Sequence, residues 1–341
     1  MKILVDAYGG DNAPLEIIKG AVQYVQEGGT AEVCLVGLES EIRKIMDENG
    51  YSYKNIEIKN ATEVVTCHES PTEAIRKKPD SSLCVGFAAL RSGEYDAMLS
   101  AGSTGAVLTG AVLKVGRIKG VNRPALCSLL PTVKEGKEVI YLDCGANADT
   151  KPINMVQFAL MADIYAKKVK GIKEPKIALL SNGAEDEKGN ELILKVHPVL
   201  RNLEGINFVG NIEGRDILSG DYDIVVTEGF AGNAALKAIE GTAKAVLTIM
   251  KDNIKKSFLS IIGAMFMKKT FKNMKKTLDY NTRGGAIFLG ANGVMVKAHG
   301  SSKAQTIVAG IKLCEEACKA NIKEEIAERL AKDDVKSLIF D

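Results

Sequence analysis

The sequence contains no tryptophan, and phenylalanine and tyrosine together make up about 5% of its 341 residues. Few aromatic rings are therefore available for the base stacking by which proteins bind single-stranded nucleic acids. The formal net charge of +2 is also too small for a general attraction to nucleic acid. We expect no nucleic-acid partner, and any function that depends on basic residues must be local.

Signals for export or membrane insertion are missing as well. No run reaches the roughly 18 uncharged apolar residues that a membrane-spanning helix needs. The start, MKILVDAYGG, fits neither a signal peptide nor a transit peptide, which predicts a cytoplasmic location. The seven cysteines include no Cys-x-x-Cys pair, which favours reduced thiols over disulfides. Cys314 and Cys318 lie one helical turn apart with no further ligand nearby, so we predict no metal site.

Familiar catalytic motifs are absent too. Neither Gly-x-Gly-x-x-Gly nor Gly-x-x-x-x-Gly-Lys-Ser/Thr occurs, so dinucleotide and P-loop sites lose their main support. Neither a Gly-x-Ser-x-Gly elbow nor His-Glu-x-x-His is present. Among the three histidines, His299 stands out because it follows the apolar run GVMV and precedes two serines. It is a candidate functional residue, although a structural loop histidine fits the pattern equally well.

A repeated unit does run through the chain: a short β-branched apolar run, a turn rich in glycine and asparagine, and a helical period. Alternation of this kind predicts an α/β fold with three layers, in which helices cover both faces of a mostly parallel sheet. We expect residues 1–341 to form a single domain whose ligand binds where strand ends meet helix starts along one sheet edge. The seven units are residues 3–14, 32–40, 97–108, 139–149, 176–190, 206–216 and 223–237.

The loop SAGSTG is the best candidate for binding an anion, because N–H groups and the helix dipole at a helix start favour negative charge. We predict that Ser100, Gly102, Ser103 and Thr104 bind a phosphate-type ligand. A plain strand-to-helix cap is the competing interpretation. Positive charge could come from Lys188 or Lys237, which follow other glycine-rich turns. Lys237 is therefore a fifth predicted phosphate-binding residue, and Lys188 is a predicted catalytic residue.

Carboxylates and small residues also end several of the strand-like runs. They could orient a base, bind a divalent metal, or pair structurally with lysines and loop amides, and pairing is the expected role for most. Cys144 would lie near a helix start, where thiolates are favoured, so a covalent thiol mechanism is a further hypothesis. The predicted site-loop residues are Asp6, Gly9, Gly10, Asp11, Asp143, Asn147 and Glu228.

Eight ordered blocks together resemble the bacterial phosphate acyltransferase family of phospholipid synthesis, the PlsX family. The resemblance covers residues 1 to about 315 and departs from the usual pattern at Tyr8, Ser103 and residues 181–185. The blocks are DAYGGDNAP, PTEAIRKKPDSSL, SAGSTGA, GRIKGVNRPAL, DCGANAD, GNIEGRDIL, TEGFAGNAALKAIEG and NGVMVKAHGSS.

The resemblance implies transfer of a fatty acyl group from acyl carrier protein to inorganic phosphate. The product, acyl phosphate, would serve a membrane glycerol-3-phosphate acyltransferase. It also implies a homodimer, no cofactor, and a fold similar to isocitrate dehydrogenases and phosphotransacetylases. Two alternatives stay open: a dehydrogenase-like enzyme that binds NAD on a related fold, and a non-catalytic membrane or carrier-protein scaffold.

Phosphate attack on a thioester asks mainly for positioning of the phosphate and stabilisation of an oxyanion, which needs no familiar triad. We predict that Asn147, Asn182 or Asn233 donates a hydrogen bond to the carbonyl oxygen. His299 is predicted to hold the phosphate or the leaving sulfur, and Lys188 to assist catalysis by its charge.

Residues 251–282 form a lysine-rich segment with a dense apolar cluster, predicted to be an amphipathic helical hairpin with a bend at Gly263. Apolar side chains flanked by lysines suit contact with anionic lipid, which predicts a peripheral membrane protein. Docking of acyl carrier protein and ordinary core packing are the alternatives. The predicted membrane-contact residues are Phe258, Leu259, Ile262, Phe266, Lys268 and Lys269.

Overall fold

The computed structural model describes residues 1–66, 68–278 and 283–332 of the chain. The last part of the predicted hairpin, residues 279–282, and the predicted domain's last residues, 333–341, lie outside the described residues. Helices cover both faces of one large sheet, which confirms the predicted three-layer α/β architecture.

The described residues contribute eleven strands to the sheet, in the spatial order β3-β2-β1-β4-β11-β10-β5-β6-β9-β7-β8. Their inward side chains are mainly Val, Ile, Leu and Ala, as expected of strands that are buried on both faces. The strands are β1 (Lys2–Asp6), β2 (Glu32–Gly37), β3 (Ile56–Asn60), β4 (Ala97–Ser100), β5 (Ala125–Pro131), β6 (Glu138–Leu142), β7 (Lys176–Leu180), β8 (Asn207–Ile212), β9 (Ile224–Val226), β10 (Ala286–Leu289) and β11 (Val294–Lys297).

Strand direction reverses within this sheet, which corrects the expectation that all strand ends meet along one edge. β10 is antiparallel to both β11 and β5, and β5 is antiparallel to β6. The strands β1 to β5 and β11 therefore end at one edge, whereas β6 to β9 end at the opposite edge. The predicted site residues are consequently divided between two edges.

The first face of the sheet packs against α1, α2, α6, α7, α11 and α12, and the second against α3, α4, α5 and α8. The unit predicted at residues 206–216 is different, because a short 3-10 turn, not an α-helix, follows β8. The helices are α1 (Leu15–Gln26), α2 (Glu39–Glu48), α3 (Pro71–Lys77), α4 (Ser82–Ser92), α5 (Thr104–Gly110), α6 (Pro152–Lys168), α7 (Glu191–Asn202), α8 (Gly229–Lys255), α9 (Phe258–Phe266), α10 (Lys268–Leu278), α11 (Ala304–Lys319) and α12 (Ile322–Lys332).

The lysine-rich segment begins inside α8, a helix of 27 residues that is about 40 Å long. The first turns of α8 pack on the second face through Ala235, Leu236 and Ile239. The later part of α8 has no buried residue, and neither has α9, so these parts project from the sheet. The predicted bend at Gly263 is wrong, since Gly263 lies within α9. The chain breaks instead at Ser257, whose hydroxyl accepts a hydrogen bond from the N–H of Ser260 and caps α9.

Candidate functional site

A row of side chains crosses the second face of the sheet at its centre. Residues paired directly across neighbouring strands point to the same face, so the pairings of β4, β11, β10, β5 and β6 define what we call the central row. Its small members, Ala286 and Ser128, lie between two long side chains and leave a depression. The row is Ser100, Lys297, Ala286, Ser128 and Tyr141.

A cavity of about 150 Å³ lies over this depression. Its floor is largely apolar and comes from β5 and β10, and α8 forms one wall. Its polar lining includes Thr104, Asn233, Lys237, Lys297 and His299, and also Glu240, which pairs with Lys237. Four of the first five were predicted from the sequence. Cations, hydrogen-bond donors and an apolar floor thus meet in one small space.

Lys297 is the functional candidate that the sequence prediction missed. It is the last residue of β11 and only 7% exposed, and its Nζ donates to the carbonyl oxygens of Ala101 (3.4 Å) and Ala298. A lysine is rarely buried to this degree without a role for its charge. The sequence signal was a lysine ending an otherwise apolar strand, VMVK.

His299 lies at the exposed rim of the cavity with its ring oriented by Ser301. The Ser301 N–H donates to Nδ1 at 3.1 Å, and the Ser301 hydroxyl lies 2.8 Å from the same nitrogen. Since Nδ1 accepts a hydrogen bond, the proton of the neutral ring is on Nε2. Burial, followed by the charges of Lys237 and Lys297, lowers the pKa of His299 below its ordinary value of 6.5. At neutral pH the ring is therefore an uncharged N–H donor.

Asp6 and Ser100 hold the loops together at this edge of the sheet. The Ser100 hydroxyl donates to Asp6 Oδ2 at 2.6 Å and accepts the N–H of Gly102 at 3.0 Å. Burial raises the pKa of the Asp6 carboxyl, while its hydrogen bonds and the charge of Lys297 oppose that shift. A side chain at Gly9 would collide with this cluster, since its Cβ would lie 2.6 Å from both Asp6 Oδ2 and the Gly102 nitrogen. The Ser100 hydroxyl is thus occupied within the protein.

Gly10 and Asp11 join the first loop to the turn that carries His299. The Asp11 N–H donates to the carbonyl oxygen of Gly300 at 2.7 Å. Gly10 has a φ of 99°, and a Cβ there would lie 2.8 Å from the Gly300 oxygen, so only glycine fits. These two predicted residues support the site from beneath.

Ser103 caps α5, which agrees with the structural interpretation of the SAGSTG loop. Its hydroxyl accepts a hydrogen bond from the N–H of Ala106 at 3.5 Å. Gly102 is tied to Ser100, and Thr104 is the member of this loop that lines the cavity. Of the four residues of this loop that were predicted to bind phosphate, Thr104 therefore has the most direct access to a ligand.

Asp143 organises the loop at the opposite edge of the sheet. Its carboxylate accepts hydrogen bonds from the N–H groups of Leu126, Ala146 and Asn147 and from the Asn147 side chain, at 2.8–3.0 Å. The Asn147 amide also donates to the carbonyl oxygen of Pro124. Burial raises the pKa of Cys144 to about 12, so its thiol stays protonated. This environment opposes a covalent thiol mechanism.

The start of α8 rests on that loop and directs Asn233 and Lys237 into the cavity. Glu228 caps the helix by accepting hydrogen bonds from the N–H groups of Phe230 and Ala231. A Cβ on Gly232 would lie 2.0 Å from the Asp143 carbonyl oxygen, so the close contact requires glycine. Lys237 pairs with Glu240 at 2.8 Å. Glu228 thus acts on the site through the position of its helix.

Asn182 and Lys188 follow β7, whose end lies at the opposite edge from His299. Both are exposed, and neither lines the cavity. The side-chain amide of Asn211 donates to the carbonyl oxygens of Glu185 and Lys188, which ties this loop to β8. The structure does not bring these two predicted residues together with the others.

Within the described ranges, no group of three or more histidine, cysteine or acidic side chains is arranged to hold a metal ion. In the same ranges, no helix has both the length and the hydropathy needed to cross a membrane.

The fold places the chain in a structural class first. It is similar to a phosphotransacetylase from Streptococcus pyogenes, with 16% identity, a TM-score of 0.63 and coverage of 94% of each chain. A branched-chain phosphotransacylase from Enterococcus faecalis gives 13% identity and a TM-score of 0.59, with coverage of 93% of this chain and 99% of that one. At such identities the likeness shows a shared fold, and it confirms the predicted phosphotransacetylase type.

Sequence comparison then gives the family. The family model described as "Fatty acid synthesis protein" matches residues 1–325, and the chain belongs to that family. A phosphate acyltransferase from Thermoanaerobacterium thermosaccharolyticum is 46% identical over 312 residues, 92% of this chain and 91% of that protein. Another from Dictyoglomus thermophilum is 45% identical over 332 residues, 97% of this chain and 98% of that protein. The predicted family and the prediction of an acyltransferase enzyme are both confirmed.

Proposed function

We propose that the protein transfers a fatty acyl group from acyl carrier protein to inorganic phosphate and releases acyl phosphate. The observation that carries the proposal is the cavity, where an apolar floor meets Lys297, Lys237, Thr104 and the Nε2–H of His299. An apolar floor suits the acyl group, and the cations and donors suit phosphate and a developing oxyanion. Membership of a family with relatives named phosphate acyltransferase supports the same reaction.

Little proton transfer is needed for this reaction. Phosphate groups lose their second proton near neutral pH, so a large share of the nucleophile is already the dianion. A phosphate oxygen attacks the thioester carbonyl carbon, the C–O bond forms, and the C–S bond breaks. The departing thiol has an ordinary pKa of about 8.5 and can leave as the thiolate. Positioning and charge stabilisation then provide the catalysis, which fits a site without a strong base.

Among the three asparagines predicted to donate to the carbonyl oxygen, Asn233 is the candidate we retain. It lines the cavity, whereas the Asn147 amide is bonded to Asp143 and Pro124, and Asn182 lies outside the lining. Asn233 lies close above Gly145, because a Cβ there would be 3.1 Å from the Asn233 Cβ. The fixed backbone below it supports a role in orienting the carbonyl group.

The decisive experiment incubates the protein with an acyl carrier protein thioester and phosphate and traps acyl phosphate with hydroxylamine. We expect hydroxamate to form in proportion to protein and only when phosphate is present. Parallel reactions without phosphate, and with Asn233→Ala, separate enzymatic transfer from direct hydroxylaminolysis of the thioester. Equal hydroxamate with and without phosphate would refute the proposal.

We also propose that α9 and α10 make peripheral contact with an anionic membrane, where the product would reach a membrane glycerol-3-phosphate acyltransferase. Phe258, Leu259 and Phe266 are 77%, 79% and 87% exposed, and Lys268 and Lys269 follow them. Exposed apolar side chains can enter the interface, and each nearby lysine contributes about 1 kcal/mol on anionic lipid. A contact of this kind needs no membrane-spanning helix.

Sedimentation with vesicles tests the membrane contact. The double variant Phe258→Glu with Ile262→Glu is expected to lose binding to vesicles of phosphatidylglycerol and phosphatidylcholine while it keeps its turnover. Val133→Glu, at an exposed apolar residue between β5 and β6, is the matched control and should bind as wild type. Unchanged vesicle binding by the double variant would refute the contact. A raised KM for the carrier-protein thioester with unchanged vesicle binding would favour carrier docking instead.

We propose that the working form is a homodimer associated through α8. Val246 and Ile249 are exposed apolar residues on this projecting helix, and pairing with a second copy would cover them. Light scattering should report a dimer for wild type and a monomer for Val246→Glu with Ile249→Glu. A monomeric wild-type protein would refute the proposal.

A further inference from the structure

The turn after β11 has to keep His299 in one orientation, although its own sequence does little to hold it. His299 is followed by Gly300, and glycine permits many backbone conformations. The ring is exposed at the rim, so packing alone does not fix it. Its orientation depends on Ser301, whose N–H and hydroxyl lie 3.1 Å and 2.8 Å from Nδ1. The position of the ring therefore depends on what holds the backbone around Ser301.

Two peptide groups flank Ser301, and the loop after β1 holds both of them. The carbonyl oxygen of Gly300 accepts a hydrogen bond from the Asp11 N–H at 2.7 Å, which fixes the peptide before Ser301. The side-chain amide of Asn12 donates to the carbonyl oxygens of Ser301 and Ser302, both at 3.1 Å, which fixes the peptide after it. The Asp11 contact comes from the backbone, so among these contacts only those of Asn12 depend on a side chain.

Other contacts already join the two segments and close the turn. The N–H and the hydroxyl of Ser302 both donate to the carbonyl oxygen of His299. The Glu16 carboxylate accepts a hydrogen bond from the N–H of Ala304 at 2.9 Å, and α1 packs along α11. Asn12 is only half-buried and is not part of the hydrophobic core. What it adds is two hydrogen-bond donors directed at the backbone of the turn that carries His299.

We propose that Asn12 is a positioning residue for the acyl transfer and that it acts through His299. This inference rests on the proposed function, in which the Nε2–H of His299 donates a hydrogen bond to the reacting groups. The Asn12 amide holds the peptide after Ser301, so that the Ser301 N–H stays directed at Nδ1 and the ring keeps Nε2 at the cavity. Asn12 does not line the cavity, so it contacts no reacting atom itself.

Steady-state kinetics of full-length variants test this assignment. Asn12→Ala removes both donors, and we expect kcat to fall roughly 10- to 100-fold, because misplacement of a group by about 1 Å can cost about 10²-fold. The KM values for phosphate and for the thioester should change little. Asn12→Asp keeps the size of the side chain, loses the donors and should be equally slow. Asn49→Ala is the matched control and should behave as wild type, since the Asn49 amide also donates to a backbone carbonyl oxygen, that of Ile45, but at the end of α2.

A double-mutant cycle separates positioning of His299 from a general structural role. If Asn12 acts through His299, Asn12→Ala should lower kcat in the wild-type protein and cause no further loss in the His299→Ala protein. An equal loss in both backgrounds would overturn the assignment, and so would a wild-type kcat in folded Asn12→Ala. If circular dichroism shows that Asn12→Ala is unfolded, Asn12→Asp takes its place in the cycle.

Nitrogen NMR of the histidine rings reports the orientation of His299 directly. In the wild-type protein the Nδ1 shift should be that of a hydrogen-bond acceptor and the Nε2 shift that of an N–H, because the Ser301 N–H donates to Nδ1. Asn12→Ala should change the His299 shifts toward a mixture of the two tautomers. His197, which is buried on α7, should not change. Wild-type His299 shifts in folded Asn12→Ala would contradict the positioning role.

The two proposals can fail separately. If wild-type protein makes phosphate-dependent hydroxamate and Asn12→Ala lowers kcat equally with and without His299, the role of Asn12 fails and the function stands. If wild-type protein makes no hydroxamate but Asn12→Ala changes the tautomers of His299, the acyl-transfer function fails while the contact between Asn12 and the turn stands.

Discussion

Substitution of His299 by glutamine and by alanine is expected to give very different turnover numbers. The hydrogen bond from the Ser301 N–H to Nδ1 fixes the ring so that Nε2 carries the proton. The lowered pKa keeps the ring neutral at pH 7.5. The side-chain amide nitrogen of glutamine lies about as far from the backbone as Nε2 of histidine does, and it also donates an N–H. It cannot accept a proton at this pH. Glutamine therefore preserves donation and removes base catalysis.

The expected size of the effect follows from the role of a single donor. Loss of one hydrogen bond to a group on which negative charge develops in the transition state, here the leaving sulfur or the phosphate, lowers kcat by up to about 10²- to 10³-fold in a buried site. His299 is exposed at the rim, so we expect the lower end of that range, about 10²-fold, for His299→Ala. His299→Gln should stay within about tenfold of wild type. His299→Asn should resemble the alanine variant, because its amide is too short to reach the position of Nε2.

Initial rates of thiol release from the thioester, at saturating phosphate and pH 7.5, measure these differences. Thermal unfolding of each variant by circular dichroism shows whether the fold is retained. If glutamine were as slow as alanine while both proteins were folded, proton acceptance by His299 would be required and the donor reasoning would be refuted. If all three variants matched wild type, His299 would have no part in the reaction.

Three further predictions follow. Cys144→Ser should keep near-wild-type turnover, because the thiol pKa of about 12 leaves no thiolate; a loss of about 10³-fold in kcat would instead support a covalent thiol. Glu228→Ala should lower the free energy of unfolding in urea by about 0.5–2 kcal/mol by removing the α8 cap, and Glu228→Gln should recover much of it; equal stability would contradict the capping role. Ala286→Leu should fill the depression beside Lys297 and lower kcat/KM by about 10²-fold, whereas Ser128→Ala should be tolerated; normal kinetics for the leucine variant would place the reaction elsewhere.

Each of the seven units predicted from the sequence contains a strand of the sheet, but the other four of the eleven described strands lie outside those units. The strand directions could not be predicted from the pattern either. Alternating strands and helices predicted strand ends along a single edge. The turn between β5 and β6 makes a hairpin instead, and β10 enters between β11 and β5 in the opposite direction. Direction is decided by pairing between distant segments, which a local pattern does not contain. Asn182 and Lys188 were placed with the site for this reason.

The sequence predicted some residues of the cavity and missed Lys297, again because a local pattern does not show contacts between distant segments. Thr104, Asn233 and Lys237 were found because each follows a glycine-rich turn, where backbone shape leaves a local signature. His299 was found because it lies between an apolar run and two serines. Lys297 was missed because it ends an apolar strand, and a lysine there is usually just a solvated strand end. Its burial comes from its neighbours on β4 and β10, so no local pattern reveals it.

The lysine-rich segment shows how weak a helix boundary signal can be in an exposed helix. Glycine often marks a bend, yet Gly263 continues α9, because a glycine inside a helix costs only some intrinsic helix stability. Ser257 ends the run more effectively, since its side chain satisfies an N–H at the start of α9. A capping side chain therefore decided the boundary where flexibility alone did not.

Small side chains shape this site as much as polar ones. Between Lys297 and Tyr141 the central row holds only Ala286 and Ser128, and the tyrosine hydroxyl is bonded beneath α8 to the Gly232 carbonyl oxygen at 3.1 Å. The cavity persists because its two ends are fixed and its middle residues are too small to fill it. Among the cations around the cavity, the buried Lys297 is screened by solvent less than the exposed Lys237. A substitution that enlarges the middle of the row should therefore impair catalysis even though it removes no reacting group.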